Sequence, residues 1–493
     1  MESGGRSVAR HTAIYLLARG LPGMIAFLAI PLFTRLLQPA DYGRYALVLA
    51  TVNLLNALLF QGLRLSLVRY LPACRDDSAA LKSTYLTVMV ISLGVAGICA
   101  GLACLAPPVR PWRSVVFEGW LLLAMMAGFE LCCEYSRALI RPWNYMWLQV
   151  TRSVGMVGLG IVLVSLGAGW RGPVGGLTGG MALAVAYSYW KDWRHVRLRI
   201  DRAILAQICT YGLPLSLTVG LGVFIGASNR YLIAALLGES AAGLYSVAAD
   251  LANQTLMLIM MAVYLAVFPT AVRAWEQEGP AGAAAQMRYN ALLLWGLGTP
   301  CLVGLVVLAP GISHCLLGSS YRHAAVSVIP LVAIGTFLAG LKACHFDGAL
   351  QFPHRTIHQV WIALVTAVAN IAINFVAIRI AGINGAAAGS ALAYAIAIAI
   401  TILWGRRYVV LPFPGRAVAQ VMLACCLMAA LLYPLRDYVS PLALAGDVVV
   451  GTAIYGLALL ACNFLDFRVL VQRKWFARSA TPGAAMETGS PDF

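Results

Sequence analysis

Runs of about 20 apolar residues, the length a helix needs to pass the hydrocarbon core of a bilayer, recur along the whole of this chain. Fourteen can be counted, from residues 14–36 and 42–68 at the start to 417–435 and 441–464 at the end. In hydrocarbon every backbone amide must find its partner within the protein, and unbroken runs of this length read as helices. The expected fold class is all-α and polytopic, with about 14 transmembrane helices. With 61% hydrophobic and 11% charged residues among 493, the chain has too little polar surface for a soluble globule.

The connection between the first two runs, Leu37-Gln38-Pro39-Ala40-Asp41-Tyr42-Gly43, is echoed 200 residues later by Leu237-Gly238-Glu239-Ser240-Ala241-Ala242-Gly243. Leu37 pairs with Leu237, Gly43 with Gly243, Tyr45 with Tyr245 and Asn53 with Asn253 at that one offset. This is the signature of two homologous helical bundles facing each other across a central space. Six runs precede the basic stretch at 191–199 (Lys-Asp-Trp-Arg-His-Val-Arg-Leu-Arg), which reads as the linker between halves, and six follow it. Runs thirteen and fourteen have no repeat partner. An even number of crossings per half gives both one orientation, so their axis is expected along the membrane normal. The expected units are an N-terminal lobe (1–200), a C-terminal lobe (201–408), the last two spans with a basic segment (409–478), and a Ser/Gly/Pro-rich tail (479–493) expected to be disordered. Gly175-Gly176-Leu177-Thr178-Gly179-Gly180 and Gly385-Ala386-Ala387-Ala388-Gly389-Ser390 open the last helix of each lobe, where small residues favour close packing.

The net charge of +16 reads as a topology signal and not as a nucleic-acid footprint. With both termini cytoplasmic, 22 Lys and Arg fall on that side, eight on the other, and five inside spans. The first span is longer than a signal-peptide core and is expected to be retained. Of twelve Cys, eleven lie in or beside apolar runs and none forms C-x-x-C, which fits small buried hydrophobes better than metal ligands or disulfides. Loops are too short for an extramembrane catalytic domain, and no nucleotide, haem or zinc spacing occurs. No enzyme activity, cofactor or metal is expected.

A charged side chain at the bilayer centre costs about 2.5–3.5 kcal/mol on insertion scales, so the five interior cations Arg19, Arg64, Arg152, Arg230 and Lys342 each require a reason. Asn53, Asn56 and Arg64 fall within an arc of about 80° on the second span. Its repeat partner, span eight, aligns Asp250, Asn253, Gln254 and Met257, and span eleven sets Thr366, Asn370 and Asn374 four residues apart. These faces are expected to converge on one interior cavity. For the Asn and Thr the competing role is interhelical hydrogen bonding, and for Arg19, Arg64 and Arg230 it is snorkelling to an interface. Glu130, Glu134, Arg137 and Arg141 share a face of span four, either as a self-compensated network or with Glu130 as a coupling acid. Asp250 is the other coupling candidate, since no cation lies within one turn of it on its own helix.

Pro31-Leu32-Phe33-Thr34-Arg35-Leu36-Leu37-Gln38-Pro39-Ala40-Asp41-Tyr42-Gly43-Arg44-Tyr45, followed by residues 62–69, resembles the start of the polysaccharide transporter family. These are the O-antigen and exopolysaccharide flippases of the multidrug/oligosaccharidyl-lipid/polysaccharide (MOP) exporter superfamily. The stretch from Asn229-Arg230 through Gly243-Leu244-Tyr245-Ser246-Val247-Ala248 fits it too. Gln38 stands where a Gly is usual. Asn229 stands where many relatives have Asp, so no acidic role carries over to that position. The resemblance implies two six-helix lobes related by a pseudo-two-fold plus two extra C-terminal helices flanking a lipid-tail groove. It further implies translocation of a polyprenyl-pyrophosphate-linked oligosaccharide across a bacterial inner membrane by alternating access, among membrane lipids and beside polysaccharide polymerase and chain-length proteins. On that reading Arg19, Arg64, Arg230 and Lys342 contact the pyrophosphate, for which guanidinium pairs are well suited. Asn53, Asn56, Asn253, Asn370 and Asn374 suit the sugar. The alternatives are a cation-coupled drug exporter of the same superfamily, a glycan polymerase or ligase, and a structural scaffold for an assembly complex.

Overall fold

The computed structural model describes residues 20–73, 78–107, 110–353, 356–436 and 440–462. Arg19, the start of the first run, the basic stretch up to residue 478 and the tail 479–493 lie outside the described residues. So do Arg6, Arg10, Arg75, Arg355, Arg468, Arg473, Lys474 and Arg478 among the cations counted for orientation.

The described elements are all helical. In the first half of the chain these are α1 (Gly20–Leu36), α2 (Pro39–Tyr70), α3 (Ser78–Ala103), α4 (Arg113–Ala138), α5 (Pro142–Ser165) and α6 (Arg171–Ser188). A π-helical turn at Tyr189–Trp193 and a non-helical stretch lead to α7 (Arg202–Leu237). Next come α8 (Glu239–Ala252), a π-helical turn (Asn253–Met257), α9 (Leu258–Val307), α10 (Ala309–Leu316) and α11 (Ser319–Leu341). A third π-helical turn (Lys342–Phe346) precedes α12 (Gly348–Gln351), α13 (Thr356–Gly405), α14 (Gly415–Leu432) and α15 (Pro441–Ala461). The starts have local causes. Pro occupies the first turn of α2, α5 and α15, where its missing amide is no loss. Asp201 caps α7, its carboxylate accepting from the amides of Ala203 (2.8 Å) and Ile204 (3.2 Å).

Ten helices among the described residues are long and apolar enough to cross a membrane, and α1 adds a shorter apolar one. The count differs from the expected fourteen because adjoining runs are fused without a loop. Glu239–Val307 forms one 69-residue helical run and Ile357–Gly405 one of 49, each longer than a bilayer requires at 1.5 Å per residue. Both runs break where a glycine takes a positive φ: Gly279 (φ 69°), followed by Pro280, and Gly382 (φ 59°), preceded by Ala381. α6, short at 18 residues and rich in glycine, is not among the ten.

α2 and α11 are the most enclosed of these helices, each 50% buried across its most apolar window, whereas α3 is 11% buried there. α2 therefore runs through the middle, packed on α4 from its own half and on α7 and α8 from the other. It starts at Pro39 and α8 starts at Glu239, the same position of the repeat. The two helices touch backbone to backbone: a Cβ on Gly43 would lie 2.9 Å from the amide nitrogen of Gly243, and a Cβ on Gly243 would lie 2.9 Å from that of Gly43. The glycine stretch of α6 also packs as expected, with Gly176 and Gly180 against Gly160 and Gly155 of α5. α14 and α15 lean on each other and on α9, at the margin of the bundle.

Gly43→Val or Gly243→Val forces this crossing apart and is expected to cost about 1–3 kcal/mol, the usual penalty of overpacking. Gly94→Val, at a position with nothing within 4 Å, is expected to be silent. Thermal unfolding of the purified protein in detergent compares them, and equal midpoints would remove the crossing from the list of structural constraints.

Candidate functional site

Each interior cation nominated from the sequence and described here has an acid beside it, except Arg152. Arg64, buried on α2, is ion-paired with Glu130 of α4 and also donates to Gln61. Asn56, two turns before Arg64, donates to the same carboxylate at 2.8 Å. The substrate candidate Arg64 and the coupling candidate Glu130 are thus two halves of one pair. The expected four-residue face of α4 is divided: Glu134 pairs with Arg137 at 3.0 Å, and Arg141 reaches Asp192 beyond α6 at 2.8 Å.

A second pair joins the other two leading candidates. Arg230 of α7 donates to Asp250 of α8 at 2.7 Å and to the Ser246 hydroxyl at 3.2 Å. Asp250, without a cation on its own helix, is therefore neutralised from the neighbouring one. Its second oxygen accepts from the Tyr42 hydroxyl of α2 at 2.9 Å, so one carboxylate is held by both halves of the chain. Close by, Arg44 of α2 makes a two-point contact with Glu239 at the start of α8, the shortest distance being 2.7 Å. Arg35 donates to the Cys315 carbonyl at 2.8 Å and the Tyr321 hydroxyl to that of Leu37 at 3.1 Å. The end of the molecule at the α1–α2 and α7–α8 connections is thus closed by polar contacts between the halves.

The third pair is local. Lys342, on the π-helical turn after α11, donates to both oxygens of Asp347 at 2.8 and 3.0 Å, and Gln359 adds a bond to that carboxylate at 3.2 Å. Beside it the buried His345 ring lies 3.5 Å from the Asn290 amide. Arg152 stands over the Phe129 ring at 5.5 Å, with no ion pair among the described residues.

The polar faces do not all converge on one cavity. Asn370 and Asn374 of α13 are 1% and 0% exposed and belong to a packed amide network. Both donate to the side-chain amide oxygen of Asn229, at 3.2 and 2.9 Å, and Asn374 also donates to the Asn370 Oδ1 at 2.8 Å. Asn229 in turn donates to Ser390 at 2.6 Å and to Tyr245 at 3.0 Å. Consecutive residues of α7 thus diverge, Asn229 into the second-half bundle and Arg230 toward α2. Thr366 bonds back to its own helix at the Ile362 carbonyl. Asn53 on α2 and Asn253 on the π-helical turn after α8, the repeat pair, are both exposed.

Several participants escape a reading of single helices. Tyr42 and Glu239 sit in the repeated connections, and Arg44 and Ser246 just beyond them, so the repeat was their signal. Ser228, which accepts from the Asn370 amide at 2.9 Å, and Gln359 have none. Asp447, buried on α15 with no side-chain hydrogen bond or ion pair to another described residue, carried the signal of an acid in an apolar run.

Breaking a buried pair by removing one partner costs about 3–5 kcal/mol because a charge is left unpaired. Glu130→Leu is expected to destabilise the protein by an amount in that range, and the double variant Arg64→Met/Glu130→Leu to recover most of it. Chemical unfolding in micelles measures both; a double variant no more stable than the single would show that Glu130 does not serve to neutralise Arg64.

Comparison with known proteins gives a consistent result. Residues 8–275 match the family described as "Polysaccharide biosynthesis protein". The succinoglycan biosynthesis transport protein ExoT of Rhizobium meliloti (strain 1021) is 24% identical over 97% of both chains. The probable low-salt glycan biosynthesis flippase Agl15 of Haloferax volcanii is 21% identical over 88% of this chain and 90% of its own. Among solved structures, the lipid II flippase MurJ in its inward closed conformation superposes with a TM-score of 0.73 at 13% identity, covering 93% of this chain and all of that one. An inward-facing multidrug resistance MATE transporter of the MOP superfamily gives 0.57 at 17% identity, covering 80% of this chain and 97% of its own. The fold is therefore of the MurJ and MATE type.

Proposed function

Since the chain belongs to the polysaccharide biosynthesis protein family of the MOP superfamily, whose members are membrane transporters and not enzymes, we propose that it flips a polyprenyl-pyrophosphate-linked oligosaccharide from the cytoplasmic to the periplasmic leaflet. The cargo class comes from ExoT and Agl15, a transport protein of succinoglycan biosynthesis and a probable glycan flippase.

The observation that carries the reading is the arrangement around Arg230. Its guanidinium is held by one carboxylate, and that carboxylate is also bound by Tyr42 from the opposite half. A pyrophosphate carries at least two negative charges and an array of acceptor oxygens, and it matches the guanidinium fork better than a single carboxylate does. Cargo binding and closure of this end therefore compete for the same groups. As the pyrophosphate takes Arg230, Asp250 is left as an unpaired carboxylate that draws in water, and that water competes with the Tyr42 hydroxyl for its oxygens and opens the contact between the halves. The Arg44–Glu239 pair would part as that end opens. Arg64, shielded by Glu130 until cargo arrives, lies about 33 Å further along α2 than Tyr42 at 1.5 Å per residue and serves as a separate phosphate contact on the path, with Lys342 and Asp347 a third charge centre within the second half. Asn53 and Asn253, exposed at equivalent positions, face the glycan. An interior with Arg152 free of any described acid favours an anionic cargo over the cations that a drug exporter carries.

In this reading the fused runs are split at Gly279 and Gly382. With α1 and α6 they make fourteen crossings: lobes 1–200 and 201–408, each of six helices, and two C-terminal helices in 409–478. Both termini are cytoplasmic and the membrane is the bacterial inner membrane, where polymerase and chain-length proteins would take over the product.

Arg230→Ala and Arg64→Ala are each expected to cut surface glycan export at least tenfold and to leave lipid-linked oligosaccharide on the cytoplasmic leaflet, whereas Arg230→Lys retains partial export. Leaflet-resolved analysis of the lipid-linked pool in cells expressing each variant at equal level measures this. Normal export by both alanine variants would remove the guanidinium groups from the mechanism.

A further inference from the structure

A cleft of about 610 Å³ lies between the first turns of α3 and the linker that precedes α7, on different elements from the Arg64, Arg230 and Lys342 pairs. Its cations are Lys82, Arg197 and Arg199, with His195 beside them. Its two acids are already committed: Asp192 is ion-paired with Arg141 at 2.8 Å, and Asp201 caps α7. Neither Arg197 nor Arg199 has an ion pair among the described residues. Lys82 has only the face of Tyr135, at 4.6 Å. The cleft therefore sets three cations against a single carboxylate, Asp201, that has no ion-pair partner among the described residues, and carries a net positive charge.

The linker is not a loose strand across this opening. Ser83 donates to the Arg197 carbonyl and, at 3.3 Å, to that of Arg199, while Thr87 donates to the Arg199 carbonyl at 3.1 Å. The Asp201 amide donates to the Thr84 hydroxyl at 3.0 Å. Three hydroxyls of α3 thus fix the backbone that carries the two arginines, which sets where their side chains start. Alternating with them are Leu198 and Ile200, 57% and 45% exposed. Basic and apolar residues alternate along one anchored segment next to the ends of spanning helices, which is the pattern of a surface that meets both headgroup and hydrocarbon.

We propose that this cleft binds the phosphate of an anionic membrane lipid, with Arg197, Arg199 and Lys82 around the phosphate, Ile200 at the cleft wall and the exposed Leu198 just outside it along the acyl chains. The assignment rests on the cytoplasmic placement of the linker given under the proposed function. A soluble phosphate would use the cations and have no use for the two exposed aliphatic side chains.

The intact purified protein is reconstituted in nanodiscs containing phosphatidylglycerol and phosphatidylcholine, extracted gently, and its retained lipid counted by native mass spectrometry. The wild type is expected to retain phosphatidylglycerol in preference. Lys82→Gln/Arg197→Gln/Arg199→Gln is expected to lower that retention at least about tenfold, and Leu198→Ser/Ile200→Ser to lower it several-fold with the cations intact. All five residues lie at the surface or its edge, and unchanged thermal midpoints would certify the fold; Arg197→Gln alone, expected to lower retention a few-fold, serves should the triple variant unfold. Retention equal to wild type in the charge variants overturns the site. Displacement of the lipid by millimolar inorganic pyrophosphate, with the serine variant binding as wild type, overturns a lipid as the occupant. Because lipid retention is read without transport, loss of export in Arg64→Ala with retention intact separates this site from the flippase reading.

Discussion

A full charge inside hydrocarbon is tolerated only beside another charge or a donor set that replaces its water. That constraint organises the interior of this protein. Arg64, Arg230 and Lys342 each fix the position of an acid, and each acid is held by a further group from elsewhere: Asn56 on Glu130, Tyr42 on Asp250, Gln359 on Asp347. The pattern is one cation, one carboxylate and one neutral donor. Such a trio is stable while empty, and on the function proposed above it gives way to a ligand with more negative charge than a carboxylate.

How the halves meet follows from where these trios lie. Two of the three are internal to one half of the chain, and only Asp250 is shared across the divide. The contacts around it, Arg44 with Glu239 and Arg35 with the Cys315 carbonyl, cluster at the same end of the bundle. That end is thus sealed by polar contacts around the Gly43–Gly243 crossing, whereas α5 meets α6 through Gly155, Gly160, Gly176 and Gly180.

Much of this was legible from residue order and some of it was not. The spans and the 200-residue offset could be read because hydrocarbon length and internal repetition leave marks that need no tertiary knowledge. The fused runs were missed as fused because a break made by one or two residues at Gly279 or Gly382 looks the same in sequence as a short loop. The candidate cations were legible as costly, but their partners were not. Glu130 is 66 positions from Arg64 and on another helix, and periodicity along one helix is blind to it. Asn370 and Asn374 show the same limit from the other side. Their four-residue spacing announces a shared face, yet whether that face meets cargo or protein depends on Asn229 arriving from α7.

The contact of Gly43 with Gly243 has a historical consequence. The same residue of each repeat meets its counterpart, which is what an isologous interface between two identical chains would present on its dyad. A single ancestral half could have self-associated through this glycine face as a homodimer, and fusion of two copies would have preserved the contact while leaving the flanks free to diverge. Tyr42 opposite Ala242, and Asp250 opposite Ala50, are the kind of asymmetry such a merger permits: a bond between halves that no pair of identical subunits could make only once.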